Sequence, residues 1–248
     1  MPLIQRFQAL IEKLFFKGTS SRASEALSYM IVNLFLMVVV FDLALNTVVY
    51  NWTGGLYSSG FHLNTALDNA IPFSPIWAIF YLYLFYWALE ATMVFFAFIY
   101  YKQGYALAWA LVLVNLVADL IYLVFPVTTD IYRAQIAAHP IVGSGLADAI
   151  YAYYKSDLSY NCFPSLHAAF TVLCFYAWYR FLRVKRNPLT IGIAVLALII
   201  AAGTVLSTLF VKQHYIADEI AGIALGWAGG KLCYDRLGGT DTKRRATA

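Results

Sequence analysis

The sequence predicts an all-α, polytopic membrane protein: a bundle of six transmembrane helices behind an N-terminal amphipathic helix. Three observations carry this. Hydrophobic residues make up 62% of the 248-residue chain, with a mean hydropathy of +0.68. Charged residues make up 12%, against about a quarter in a typical soluble domain. Apolar runs of about 20 residues, the length that crosses a bilayer core as a helix, occur at 25–50, 75–100, 106–126, 166–184, 188–210 and 215–234.

From the N-terminus, residues 1–22 place Leu3, Ile4, Phe7, Leu10, Ile11, Leu14 and Phe15 at helical spacing, with Arg6 and Lys13 among the polar positions. That pattern suits a helix lying on a membrane surface. Docking to anionic lipid and a solvated leader both remain open for it. The apolar run that follows is too long, and lacks the small-residue cleavage site, for a signal peptide. Residues 23–236 form one six-span domain without internal repeats, and 237–248 form a tail.

Lysine and arginine gather at cytoplasmic span ends, so their placement orients the bundle. Arg6, Lys13, Lys17 and Arg22 precede the first span, and Lys102 separates the second from the third. Arg183, Lys185 and Arg186 separate the fourth from the fifth, and Arg236, Lys243, Arg244 and Arg245 follow the sixth. The opposite loops hold Arg133, Lys155 and Lys212. Both termini are therefore expected in the cytoplasm. The net charge of +4 is accounted for by these loops and calls for no nucleic acid. The three cysteines form no disulfide framework, and no C-x-x-C metal spacing occurs.

Polar groups are costly in hydrocarbon unless paired, so their clusters mark where chemistry is to be sought. Three clusters share the outer side: "FPVTTDIYR" (125–133), "NCFPSLHAAF" (161–170) and "STLFVKQHYIADEIAGIALG" (207–226). In the last, His214 and Asp218 are four residues apart and share a helix face. A carboxylate on one imidazole nitrogen fixes the tautomer and leaves the other nitrogen to attack. An ordinary polar pair at a helix start has the same spacing. In the middle cluster, Pro164 suits a first helical turn, and Ser165 with its neighbouring amides faces whatever lies beyond the helix end. His167 is placed to give a proton to a leaving oxygen. Capping alone accounts for Ser165, but not for two outward histidines among the four in the chain.

"FPSLHAA" resembles the P-S-x-H motif, and "STLFVKQHYIAD" the S-R-x-x-x-x-x-H-x-x-x-D motif, of the type-2 phosphatidate phosphatase superfamily. The resemblance spans roughly residues 75–234 and extends to the order of six spans. It implies His214 as a nucleophile forming a phosphohistidine, Asp218 as its orienting carboxylate, His167 as general acid and Ser165 as a phosphate ligand, with no metal and no cofactor. The combination of "NCFPSLHA" with "KQHYIAD" is closer to the inositol phosphorylceramide synthase branch, which passes a phospho head group from a lipid to an alcohol. Water as acceptor would turn the same intermediate into a phosphatase product. The implied partners are a membrane lipid and a polyol or lipid alcohol.

The chain departs from the family at two places. The arginine after Ser207 is Thr208, and no K-x-x-x-x-x-x-R-P motif precedes the first histidine. A transferring phosphoryl group needs cations around its oxygens. Arg133 is the stand-in for the missing motif and Lys212 for the missing arginine, with interfacial snorkelling the alternative for Arg133. Asn161 and Ser207, within the motif stretches, are candidate substrate contacts. So are Asp42 and Asp119, acids in the outer halves of the first and third spans. Glu90, toward the cytoplasmic half of the second span, suits hydrogen bonding between helices. The tyrosines of 151–160 either belong to an interfacial belt or wall the site. A transporter or scramblase could use intramembrane acids, but has no reason to set two histidines and a phosphate-suited helix end on one face.

Overall fold

The computed structural model describes residues 21–49, 52, 55–157 and 159–237. The amphipathic helix expected over 1–22 lies outside the described residues except for its last two positions, and so does the tail beyond 237. Helix α1 (Ser21–Leu34) continues in a wider π winding over Phe35–Val49. The short α2 (Ala66–Ala70) follows, closed by a capping box between Thr65 and Asp68. A turn at Pro75–Trp77 and a π segment at Ile79–Leu84 lead into α3 (Phe85–Phe98). After α4 (Tyr101–Tyr122) come α5 (Asp130–Ala138) and α6 (Gly145–Ser156), then α7 (Leu166–Phe181), α8 (Pro188–Phe210) and α9 (Ile216–Leu237). The described residues form no strand; two isolated bridges join Phe61, Val127 and Asn161 and knit three loops together.

Among the described residues, four segments are long and apolar enough to cross a membrane: Glu25–Val49, Pro75–Phe98, Tyr101–Tyr122 and Pro188–Phe210. The other two expected spans do not meet that description. Helix α7 has 16 residues, and α9 carries Asp218, Glu219, Lys231, Asp235 and Arg236. Both lie at the centre, where α4, α7 and α9 pack on one another. Helix α4 has 67% of its most apolar window buried, against 28% for the Pro75–Phe98 and Pro188–Phe210 segments, whose apolar side chains point outward. The bundle therefore has an interior of mixed polarity and an apolar exterior, as a lipid solvent requires.

Two glycines set the central contact. A Cβ on Gly222 would stand 2.3 Å from the Ser165 carbonyl oxygen, and one on Gly226 would stand 2.4 Å from that of Ala169. These residues form a G-x-x-x-G face, so α9 lies backbone against backbone on α7. The sequence motifs of the two helices are thereby held in register.

Candidate active site

The start of α7 is built by Ser165. Its hydroxyl accepts from the Ala168 N–H at 3.2 Å as the N-cap, and its own N–H donates to the Asp218 carbonyl at 3.0 Å. Tyr122 secures the preceding turn by donating to the Pro164 carbonyl at 2.8 Å. The N–H groups of Leu166 and His167 belong to a first turn with no carbonyl upstream in the helix to bond.

Between α8 and α9 the chain turns sharply, the N–H groups of Gln213 and His214 donating to the Thr208 carbonyl at 2.9 and 3.4 Å. This presents His214, whose Nδ1 lies 2.9 Å from the Cys162 carbonyl oxygen and 3.5 Å from Asp218 Oδ2. A carbonyl only accepts, so Nδ1 carries the proton and Nε2 keeps the lone pair of the neutral ring. Asp218 Oδ2 is itself fixed by the Tyr215 N–H at 2.8 Å. Burial opposes charge on His214, but the Asp218 bond, the Glu219 and Asp218 charges and the Cys162 carbonyl outweigh it, raising its pKa above the ordinary histidine value.

His167 faces His214 across a cavity of about 250 Å³, with ring centroids 5.6 Å apart. Its imidazole packs against Tyr81 at 4.7 Å and Phe85 at 4.9 Å. Asn161, Gln213, Asp157 and Tyr153 complete the polar wall, and Leu89 and Phe170 add apolar surface. Asn161 Nδ2 and Gln213 Nε2 are buried donors with no hydrogen-bond acceptor among the described residues. Helix α6, part of the tyrosine-rich stretch, does line this cavity, through Tyr153 and Ser156.

Of the residues singled out from sequence, His214, His167 and Asn161 line the cavity, while Ser165 and Asp218 are buried behind its wall. Arg133 stands one layer back. Its guanidinium ion-pairs with Asp157, donates to Gln213 Oε1 at 2.7 Å and lies 4.9 Å from the Tyr154 ring centroid. Burial opposes its charge, and the Asp157 carboxylate more than restores it, leaving the pKa raised. Lys212 lines a different cavity. Ser207 turns its hydroxyl back to the Thr204 carbonyl at 2.7 Å, and Asp119 accepts from Asn115 at 2.7 Å within α4. Asp42 and Glu90 lie on exposed helix faces. Sequence reasoning passed over Gln213, Asp157 and the Cys162 carbonyl; only the adjacency of Gln213 to His214 could have signalled the first.

Cys162 Sγ, His214 and Asp218 bring potential ligand atoms within 4.8 Å of one another. They suit a metal poorly, because burial pushes the Cys162 thiol well above its ordinary range and Nδ1 of His214 is committed to a carbonyl.

A helical bundle apolar enough for a membrane, with two histidines opposed across a pocket at the mouths of central helices, defines a class of membrane-embedded histidine sites. The family model of the PAP2 superfamily matches residues 56–232, and the chain belongs to that superfamily. It is thus an integral membrane protein, and its membership fits a lipid phosphatase or phosphotransferase. No curated protein and no solved structure matches the chain.

Proposed function

We propose that the protein is a lipid phosphotransferase that passes a phosphoryl or phospho head group from a membrane lipid to an alcohol acceptor through a phosphohistidine on His214, in the manner of the inositol phosphorylceramide synthases. The observation that carries this is His214 itself: Nδ1 tied to a carbonyl, Nε2 left for attack, and a second imidazole across the cavity. In the first half-reaction Nε2 attacks phosphorus while the bond to the leaving oxygen breaks, and that oxygen takes the proton of His167. In the second, the acceptor hydroxyl gives its proton to His167 and displaces the phosphoryl group from Nε2. The Leu166 and His167 amides, with Asn161 and Gln213, supply donors to the phosphate oxygens. Arg133 offsets the Asp157 carboxylate at the cavity wall and polarises Gln213 by donating to its Oε1. None of these steps calls on a metal.

Transfer rather than hydrolysis is favoured by the motif resemblance and by the phenols of Tyr81, Tyr86 and Tyr153 around the cavity, which suit an acceptor hydroxyl. The chain is placed in six spans, α7 and α9 included, with cytoplasmic termini and an extracytoplasmic site; the distribution of lysine and arginine supports this. The test is an assay of purified protein on phosphate- and phosphodiester-bearing lipids, scoring free phosphate and new lipid products beside His214→Ala. A product that needs an added alcohol, and is lost in the variant, establishes transfer. Free phosphate without an acceptor makes the protein a lipid phosphatase. Equal activity in the variant removes His214 from the mechanism.

A further inference from the structure

The loop that carries His214 borders two cavities. Gln213 and His214 line the one described above, whereas Lys212 lines a separate cavity of about 370 Å³ with no lining residue in common. Lys212 is 6% exposed. Its backbone φ of 54° is in the left-handed region, which costs a lysine on the order of 1 kcal/mol. The ammonium donates to the Asp68 carbonyl at 2.7 Å and lies 4.5 Å from the Tyr132 ring centroid. Both contacts are with neutral groups.

The Asp68 carboxylate is bonded elsewhere. Oδ1 accepts from the Ile216 N–H at 2.7 Å, and Oδ2 accepts from the Thr65 N–H and hydroxyl at 2.8 and 2.6 Å. Among the described residues, no carboxylate lies within ion-pair reach of Lys212. A buried ammonium without a counter-ion is costly, and burial lowers the Lys212 pKa, with Asp68 only partly opposing it. Amide side chains line the same cavity as the ammonium. Asn69, whose exposed side chain accepts at Oδ1 from the Tyr132 hydroxyl at 2.8 Å and from Asn64 Nδ2 at 3.4 Å, lines it, as does exposed Gln135.

We propose that this second cavity is an oxyanion site taking a phosphate group, free or carried on a lipid head group, with Lys212 as counter-ion and Asn69 and Gln135 as donors to its oxygens. The site is independent of the reading of His214. Occupancy bears on that loop all the same, because Asp68 holds both the Lys212 ammonium and the first N–H of α9.

The test follows acetylation of Lys212 by acetic anhydride, peptide by peptide in mass spectrometry, with exposed Lys155 as internal control. One arm adds inorganic phosphate; the other reconstitutes the protein in phosphatidylcholine vesicles with and without phosphatidate. The expected result is protection of Lys212 but not Lys155, retained in His214→Ala and lost in Asn69→Leu and Gln135→Leu. Protection by inorganic phosphate identifies a free-anion site, and protection confined to phosphatidate vesicles a head-group site. Labelling of Lys212 indifferent to both, or protection that disappears with His214→Ala, overturns the proposal whatever turnover does. Should Lys212 resist acetylation throughout, thermal melting of Lys212→Met decides. Loss of the phosphate- or phosphatidate-dependent rise supports the site, and a rise that persists overturns it.

Discussion

His214 is held closer to the Cys162 carbonyl oxygen, at 2.9 Å from Nδ1, than to Asp218, whose Oδ2 is 3.5 Å away. The tautomer is therefore set by a backbone atom from the stretch before α7, while the carboxylate acts mainly on charge. The two motif clusters meet at this one nitrogen. Separating tautomer control from charge control gives the two groups different mutational signatures.

Asp218→Asn tests that separation through pH. In the proposed mechanism His214 attacks as the neutral ring, so turnover should fall as pH drops through its raised pKa. Removing the Asp218 charge lowers that pKa, and the acid limb of the kcat profile should move to lower pH. The loss at the plateau should be roughly 10- to 100-fold, less than the ~10⁴-fold seen when an aspartate alone holds the tautomer. Stability has the opposite sign. The raised His214 value contributes stability that is full below the unfolded-state histidine value and is lost as pH rises through the folded one, so wild-type melting temperature should decline across that window. An acid limb that stays put in the variant rules out Asp218 as the source of the shift.

Arg133 should reveal itself through Asp157. Removing one partner of a buried pair costs about 3–5 kcal/mol, because the other is left uncompensated. Arg133→Ala should therefore melt well below wild type, and Arg133→Ala with Asp157→Ala should recover part of the loss. A double-mutant cycle is expected to give about 1–3 kcal/mol of coupling. Additive effects would mean that Arg133 acts without Asp157.

What the sequence made legible follows the kind of atom involved. His214, His167 and Asn161 were readable because motif spacing and side-chain chemistry point the same way, and they share one cavity. The Cys162 carbonyl was not, since a backbone acceptor leaves no side-chain signature. Arg133 reads as a free cation in sequence. Its partner Asp157 is 24 residues away and Gln213 is 80, and only the fold joins them. Lys212 and His214 are two residues apart, yet a left-handed backbone turn sends them to different cavities. The apolar count of α9 is diluted by Asp218 and Glu219, both turned inward.

Two glycines predict stability changes of opposite sign. Gly222→Val drives side-chain atoms into the Ser165 carbonyl, which belongs to the buried α7 backbone and has no room to shift. The variant should lose about 3 kcal/mol or more and take activity with it, since the same contact aligns Ser165 with α9. Gly192, inside α8, has nothing among the described residues within 4 Å of an added Cβ. Gly192→Ala should gain about 0.5–1 kcal/mol and leave activity unchanged. Melting both in the same detergent checks the pair; a neutral Gly222→Val would contradict the backbone contact between α7 and α9.

Asn161 offers the sharpest division between structure and ligand. Its Nδ2 is a buried donor without an acceptor among the described residues, at the wall of the cavity that holds both histidines. Such a group costs the unliganded protein about 1–3 kcal/mol. If a substrate oxygen is its partner, Asn161→Leu should melt higher than wild type while KM rises and kcat/KM falls by about 10-fold or more. A purely structural asparagine behaves the other way: its loss lowers the melting temperature and leaves KM alone. Gln213→Leu serves as the contrast, because Gln213 Oε1 also accepts from Arg133 at 2.7 Å and its removal leaves that guanidinium short of a partner. Gln213→Leu should therefore weaken substrate binding and stability together. The opposed melting shifts of two neighbouring amide residues, measured beside their KM values, decide whether the unpaired donors wait for phosphate oxygens.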